Sequence, residues 1–179
     1  MDSKKKGITL ELKKKDIILY MIVIVFVLLG DQLTKYLADR MMILQQSYEI
    51  IDGFFYFTYV HNTGAAWSIL QGGSMWFFYI TTIIALIAIA YFFVHTKPHE
   101  LLTRFGLVLV VGGALGNFLD RLMFGYVRDF IHFYIFNYDF PIFNIADVAV
   151  CLGLGLVILE ILIQEYRIWK LSKELSQKK

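Results

Sequence analysis

Four stretches of the chain, residues 17–37, 75–94, 101–119 and 147–163, are almost wholly apolar. Each falls near the ~20 residues that a helix needs to cross a bilayer. Between the first two the pattern changes. In residues 40–73 the middle, 48–61, is rich in Ile, Phe, Tyr, Thr and Val, which favour a strand, and it runs into the turn-forming His61-Asn62-Thr63-Gly64. So many aromatic residues beside a membrane point to a small sheet at the lipid interface. Residues 122–146 are too polar, and too broken by Gly125, Asn137, Asp139 and Pro141, to span. Asn144 precedes a fresh apolar run and is placed to cap a helix, with Asp147 in the first turn, where the helix dipole favours a negative charge. The fold class expected is an α-helical polytopic membrane protein of one integral domain. It has four transmembrane helices and a small extracytoplasmic β-sheet and loop at the interface.

Composition agrees, since 58% hydrophobic and 18% charged residues in 179 are wrong for a soluble globule. Charge assigns the sides. Residues 1–16 carry Lys4, Lys5, Lys6, Lys13, Lys14 and Lys15, the link before the third span carries Lys97, and residues 164–179 are again basic, whereas the two longer loops hold only Arg40, Arg121 and Arg128. The positive-inside rule then puts both termini and the link in the cytoplasm, and segments 40–73 and 122–146 outside. The basic start resembles the n-region of a signal peptide. Its apolar run, however, is long and no small-x-small site comes after it, so a retained first span is expected. Cys151 is the single cysteine and lies in an apolar run, where it is expected only to pack. His61, His95, His99 and His132 show no His-Glu-x-x-His spacing. No metal, cofactor or nucleic-acid partner is expected, and a single chain is expected to suffice.

Acids within or beside the spans carry the candidate chemistry, because an ionisable group in a membrane segment costs roughly 2.5–3.5 kcal/mol on insertion scales and asks for a partner. Asp31 and Lys35 stand four apart, on one helical face, as an ion pair that either tethers the helix end or holds substrate. The run Asn62-Thr63-Gly64-Ala65-Ala66 is either an ordinary turn or an amide that grips an extended peptide on its donor and acceptor sides. Gly112, Gly113 and Gly116 offer close helix packing. Asn117, Asp120 and Arg121 share one face, where Asp120 and Arg121 are expected to lock the following loop. Asp129 and Asp147 leave and re-enter spans on what is read as the outer side. Two carboxylates that meet hold one proton between them, which suits activation of water and protonation of a leaving amine. Three other readings compete: a transporter or channel subunit with an acidic proton relay, a serine peptidase using Lys35 with Ser68 or Ser74, and a purely structural membrane protein.

Five motifs occur in order among the four spans: Asp31-Gln32-Leu33-Thr34-Lys35, Asn62-Thr63-Gly64-Ala65-Ala66, Gly116-Asn117-Phe118-Leu119-Asp120-Arg121, Val127-Arg128-Asp129-Phe130 and Phe143-Asn144-Ile145-Ala146-Asp147. Together they resemble bacterial lipoprotein signal peptidase, signal peptidase II. The resemblance implies an aspartic endopeptidase of the cytoplasmic membrane that removes the signal peptide from prolipoproteins, before a cysteine carrying a diacylglyceryl thioether. It implies that Asp129 and Asp147 are the catalytic pair. Asp31, Lys35, Asn62, Gly64, Asn117, Asp120, Arg121 and Asn144 would bind substrate or support the site, and residues 48–60 would match the family's interfacial sheet.

Overall fold

The computed structural model describes residues 14–64, 75–136 and 138–177. In order they form α1 (Lys14–Met41), β1 (Ser47–Ile51), β2 (Phe55–Asn62), α2 (Met75–His95), α3 (Leu101–Phe124), β3 (Val127–Ile135), β4 (Tyr138–Asp139) and α4 (Ile145–Gln177). All four helices are long and apolar enough to cross a membrane. They run past the apolar stretches that announced them, α3 by a further turn to Phe124 and α4 well into the basic tail. Large apolar side chains such as Phe26, Ile87 and Ile158 face outward, as they would toward lipid. The five largest fully buried side chains are all polar: Lys35, Asn144, Asp31, Asp120 and Asp129.

Helix α3 is the hub, packed against α4, α1 and α2. Its glycines explain why. A β-carbon on Gly106 would lie 2.5 Å from the Gly153 carbonyl oxygen, one on Gly113 would collide with the Ala146 carbonyl and Val150, and one on Gly112 would press Val27 of α1. Lipid tails are as apolar as leucine, so helices gain little from hiding Leu from them. Small residues that let backbones touch are what hold such a bundle together.

The strands form one antiparallel sheet in the order β1-β2-β3-β4. The single strand expected over 48–61 is instead a hairpin, turning at Asp52-Gly53-Phe54 with Gly53 at φ 62°. β3 is a strand that the polar composition of 122–146 concealed. Ala38 of α1, Tyr59 of β2 and Phe130 of β3 form a buried cluster that seats the sheet on the end of α1. Between α3 and β3 stand only Gly125 and Tyr126. Gly125 adopts a left-handed φ of 76° and returns its N–H to the Arg121 carbonyl at 3.0 Å, a tight stop that fixes where β3 begins.

Gly113→Ala should lower stability in detergent by about 1–3 kcal/mol, the range for overpacking. Gly155→Ala meets no atom within 4 Å and should be neutral, or stabilising by up to ~1 kcal/mol from helix propensity. Thermal unfolding of the two variants checks this, and equal shifts would contradict the packing account.

Candidate active site

The site is assembled where α1, α3, the sheet and the start of α4 meet. Asn144 caps α4 as the sequence suggests: its Oδ1 accepts the Asp147 N–H at 3.0 Å, and its own N–H donates to Asp147 Oδ2 at 3.1 Å. That reciprocal box fixes Asp147 in the first turn. A further N–H of that turn, on Ala146, is satisfied from another helix, donating to Asp31 Oδ1 at 2.9 Å. Asp31 thereby joins α1 to the helix that carries one candidate acid.

The other acid is placed by an irregularity in the sheet. Phe57 pairs with Ile131 but Val60 pairs with Asp129, so Thr58 and Tyr59 together oppose Phe130. This one-residue bulge shifts the alternation of β2. Without it Asn62 would point to the face opposite Asp129; with it the two share a face. Asn62 Nδ2 donates to Asp129 Oδ2 at 2.9 Å, and its Oδ1 accepts the Gly64 N–H at 2.9 Å. One of the two acceptor positions of the Asn62 oxygen therefore serves the turn. Asn144 Nδ2 donates to Asp129 Oδ1 at 2.6 Å.

Behind the acids lies an ion cluster. Lys35 and Asp31, both fully buried, pair at 2.9 Å, and Lys35 also lies 3.5 Å from Asp120. Burial favours the tethering reading of the Asp31–Lys35 pair. Lys35 donates to Asn117 Oδ1 at 2.8 Å, and Asn144 donates to the same oxygen at 3.0 Å. With its oxygen so engaged, the Asn117 amide must aim its nitrogen the other way, and Nδ2 donates to Asp147 Oδ1 at 2.7 Å. Lys35 thus orients an amide that holds an acid it does not itself touch.

The expected Asp120–Arg121 lock is corrected. Asp120 accepts the Arg128 N–H at 2.9 Å, Nε at 3.1 Å and Nη2 at 2.8 Å, and Gln32 Nε2 at 3.0 Å. It does lock the segment after α3, but through Arg128. Arg121, about 100° further round the helix, turns the other way. It donates to the Gly64 carbonyl at 3.0 Å, lies over the Phe78 ring at 4.7 Å and lines the cavity. Gln32 and Arg128 were missed as supporting residues. Both lie inside recognised motifs, and Arg128 could have been found by reading 127–135 as a strand, which places neighbours of Asp129 on the opposite face.

Asp129 and Asp147 face one cavity of about 460 Å³, lined also by Asn62, Asn117, Arg121, residues 140–143 and apolar side chains of α4. Cys151, on the same face as Asp147, is exposed and lines this cavity. Among the described residues no cation comes within ion-pair distance of either acid. Burial first, and then the charge of Asp147, push the Asp129 carboxyl up to about 7, against the hydrogen bonds from Asn62 and Asn144. Ala65, Ala66, Ser68, Ser74 and Asn137 lie outside the described residues.

A buried carboxyl, Asp129, and a half-buried one, Asp147, both held by amides beside an apolar cavity in a four-helix bundle, are an arrangement suited to acid–base hydrolysis in a membrane enzyme. The family model for signal peptidase (SPase) II matches residues 23–163, and the chain belongs to that family. It is 46% identical over 144 residues to the lipoprotein signal peptidase of Bacillus pumilus, covering 80% of this chain and 92% of that one. It is 47% identical over 141 residues to that of Staphylococcus aureus, covering 79% and 86%. A bacterial membrane enzyme solved by the in meso method at 2.3 Å resolution superposes with a TM-score of 0.78 at 45% identity, over 83% of this chain and 90% of that chain.

The raised carboxyl sets a sign for stability. Between its ordinary 3.8 and about 7 the folded protein holds a proton on Asp129 that the unfolded chain has released, so stability falls as pH rises through that window. Asp129→Asn should remove this slope and melt higher than the parent at pH 8, with little difference at pH 4. Melting curves across that range check it; a parent whose stability rises from pH 4 to 7 relative to the variant would contradict the assignment.

Proposed function

We propose that this chain is an aspartic endopeptidase that cleaves prolipoproteins just before a cysteine bearing a diacylglyceryl thioether. The observation that carries the reading is the pair Asp129 and Asp147, facing one cavity and held by neutral amides. With no cation among the described residues in direct contact with either, the two acids keep one proton between them near neutrality. The ionised member takes a proton from water as that water attacks the scissile carbonyl. The protonated member supports the developing oxyanion, and a proton then passes to the leaving amine of the cysteine. Water is divided between the new carboxyl and the new amine, so the pair ends with the one proton it began with.

Asn62, Asn117 and Asn144 orient the acids, and Asp31, Lys35 and Asp120 hold the elements that carry them. Arg121, held by the Gly64 carbonyl, lines the cavity where a peptide backbone would pass. The apolar remainder suits the lipid-bearing cysteine and its surrounding membrane lipid. Action as a single chain belongs to the same reading. Lys14, Lys15, Lys97, Arg167, Lys170 and Lys173 stand at the end of the bundle remote from the sheet, supporting cytoplasmic termini and an outward-facing site.

Asp129→Asn and Asp147→Asn should each lower turnover by at least about 10²–10⁴, the contribution of general acid–base catalysis. The double variant should be hardly worse, because the acids share one step. The assay tracks release of the signal peptide by mass from a purified diacylglyceryl prolipoprotein, and near-normal turnover in either variant would sink the mechanism. For sidedness, Lys97→Cys and Phe136→Cys in a Cys151→Ala background should differ toward an impermeant thiol reagent on intact cells. Phe136→Cys should label and Lys97→Cys should not; the reverse would invert the orientation.

A further inference from the structure

A hydrogen-bond chain outside the acid pair crosses the whole sheet. Ser47 of β1 meets Thr58 of β2 at 2.8 Å, Thr58 meets His132 Nδ1 of β3 at 2.9 Å, and His132 Nε2 meets Asp139 of β4 at 2.6 Å. Carboxylate oxygens only accept, so Nε2 carries the proton. The single Thr58 hydroxyl bridges His132 Nδ1 and the Ser47 hydroxyl. His132 is buried, beside the rings of Tyr56 and Tyr134, while the Asp139 side chain is 68% exposed.

The segment just beyond Asp139 gives this hydrogen-bond chain its purpose. Residues 140–143 form one wall of the cavity that holds Asp129 and Asp147. The far end of that wall is pinned by Phe143, whose carbonyl accepts the Ile131 N–H at 2.8 Å and whose N–H donates to the Ile131 carbonyl at 3.0 Å. The near end depends on β4, which is two residues long, and on the Phe140 N–H bonded to the Phe133 carbonyl at 3.0 Å. So short a strand holds little by its ladder alone. We infer that His132 is a positioning residue which, through Asp139, fixes the 140–143 wall and thereby sets how tightly the lipid-bearing end of the substrate is held. This rests on the proposed peptidase reading of the cavity. Thr58 is also one of the two bulge residues that turn Asn62 toward Asp129, so the hydrogen-bond chain joins the wall to the strand that orients the acid.

The test uses the purified full chain and a diacylglyceryl prolipoprotein. Asp139→Ala removes the acceptor at an exposed position. His132→Asn keeps a group level with Nδ1 for Thr58 but falls short of Asp139, whereas His132→Gln reaches Asp139. The first two should raise KM about tenfold, the scale of a lost hydrogen bond to a charged group, with kcat within about twofold. His132→Gln should restore KM, and the His132→Asn/Asp139→Ala pair should be no worse than either alone. An unchanged KM in Asp139→Ala, or a fall confined to kcat, overturns the inference. Hydrogen exchange keeps it separable from the peptidase reading, because it needs no turnover: the amides of Phe140, Ile142 and Phe143 should lose protection in Asp139→Ala, and unchanged protection refutes the wall's dependence on His132 even if the parent proves not to cut this substrate.

Discussion

Lys35 is the charge on which the rest of the structure depends. Buried among Asp31, Asp120 and the Asn117 amide, it lets two carboxylates enter an apolar bundle. Each of those carboxylates then holds an element in place, Asp31 the first turn of α4 and Asp120 the first residues of β3. Those are the two elements that carry Asp147 and Asp129. With Arg128 added, two cations face two carboxylates and the cluster closes on itself. Removing one partner of such a group is far more disruptive than its net contribution would suggest, because it strands a charge out of water.

The acid pair beyond this cluster is treated in the opposite way. Amides, which bring hydrogen bonds without charge, are its direct partners, and burial adds to the mutual repulsion. A cation in direct contact with either acid would favour its ionised form and work against a proton shared by the two. The division of labour is sharp: full charges brace the scaffold, and dipoles aim the two candidate acids. Pre-aimed dipoles need no rearrangement as charge moves during reaction.

The sequence made the spans legible because lipid imposes a crude demand on length and apolarity, which 17–37, 75–94, 101–119 and 147–163 all meet. Asn144 and Asp147 were legible as a cap because capping is local. The Asp31–Lys35 pair was legible for the same reason, being one turn of one helix. The partner of Asp120 was not, since Arg121 is its neighbour in sequence and Arg128 its neighbour only after Gly125 reverses the chain. β3 was hidden because both of its faces are occupied, one by Asp129 and the other by Arg128 and His132, so it lacks the apolar alternation that marks a half-buried strand. The bulge at Thr58-Tyr59 left no mark in composition at all. It exists only as a mismatch between two strands, and a single strand read alone cannot show it.

The glycine contacts between α3 and α4 bear on how the protein meets bilayers of different thickness. Helices answer a thickness mismatch by tilting, and independent tilts would pull apart groups carried on separate helices. Here Gly106 and Gly113 lock α3 against Gly153 and Ala146 of α4, and the Gly125 turn with the Asp120–Arg128 clasp ties β3 to the end of α3. The acids on β3 and α4 therefore ride as a single rigid body. A thinner or thicker membrane would then move the pair as one body and leave its separation alone, so that the bilayer acts on it as a lift rather than as a wedge.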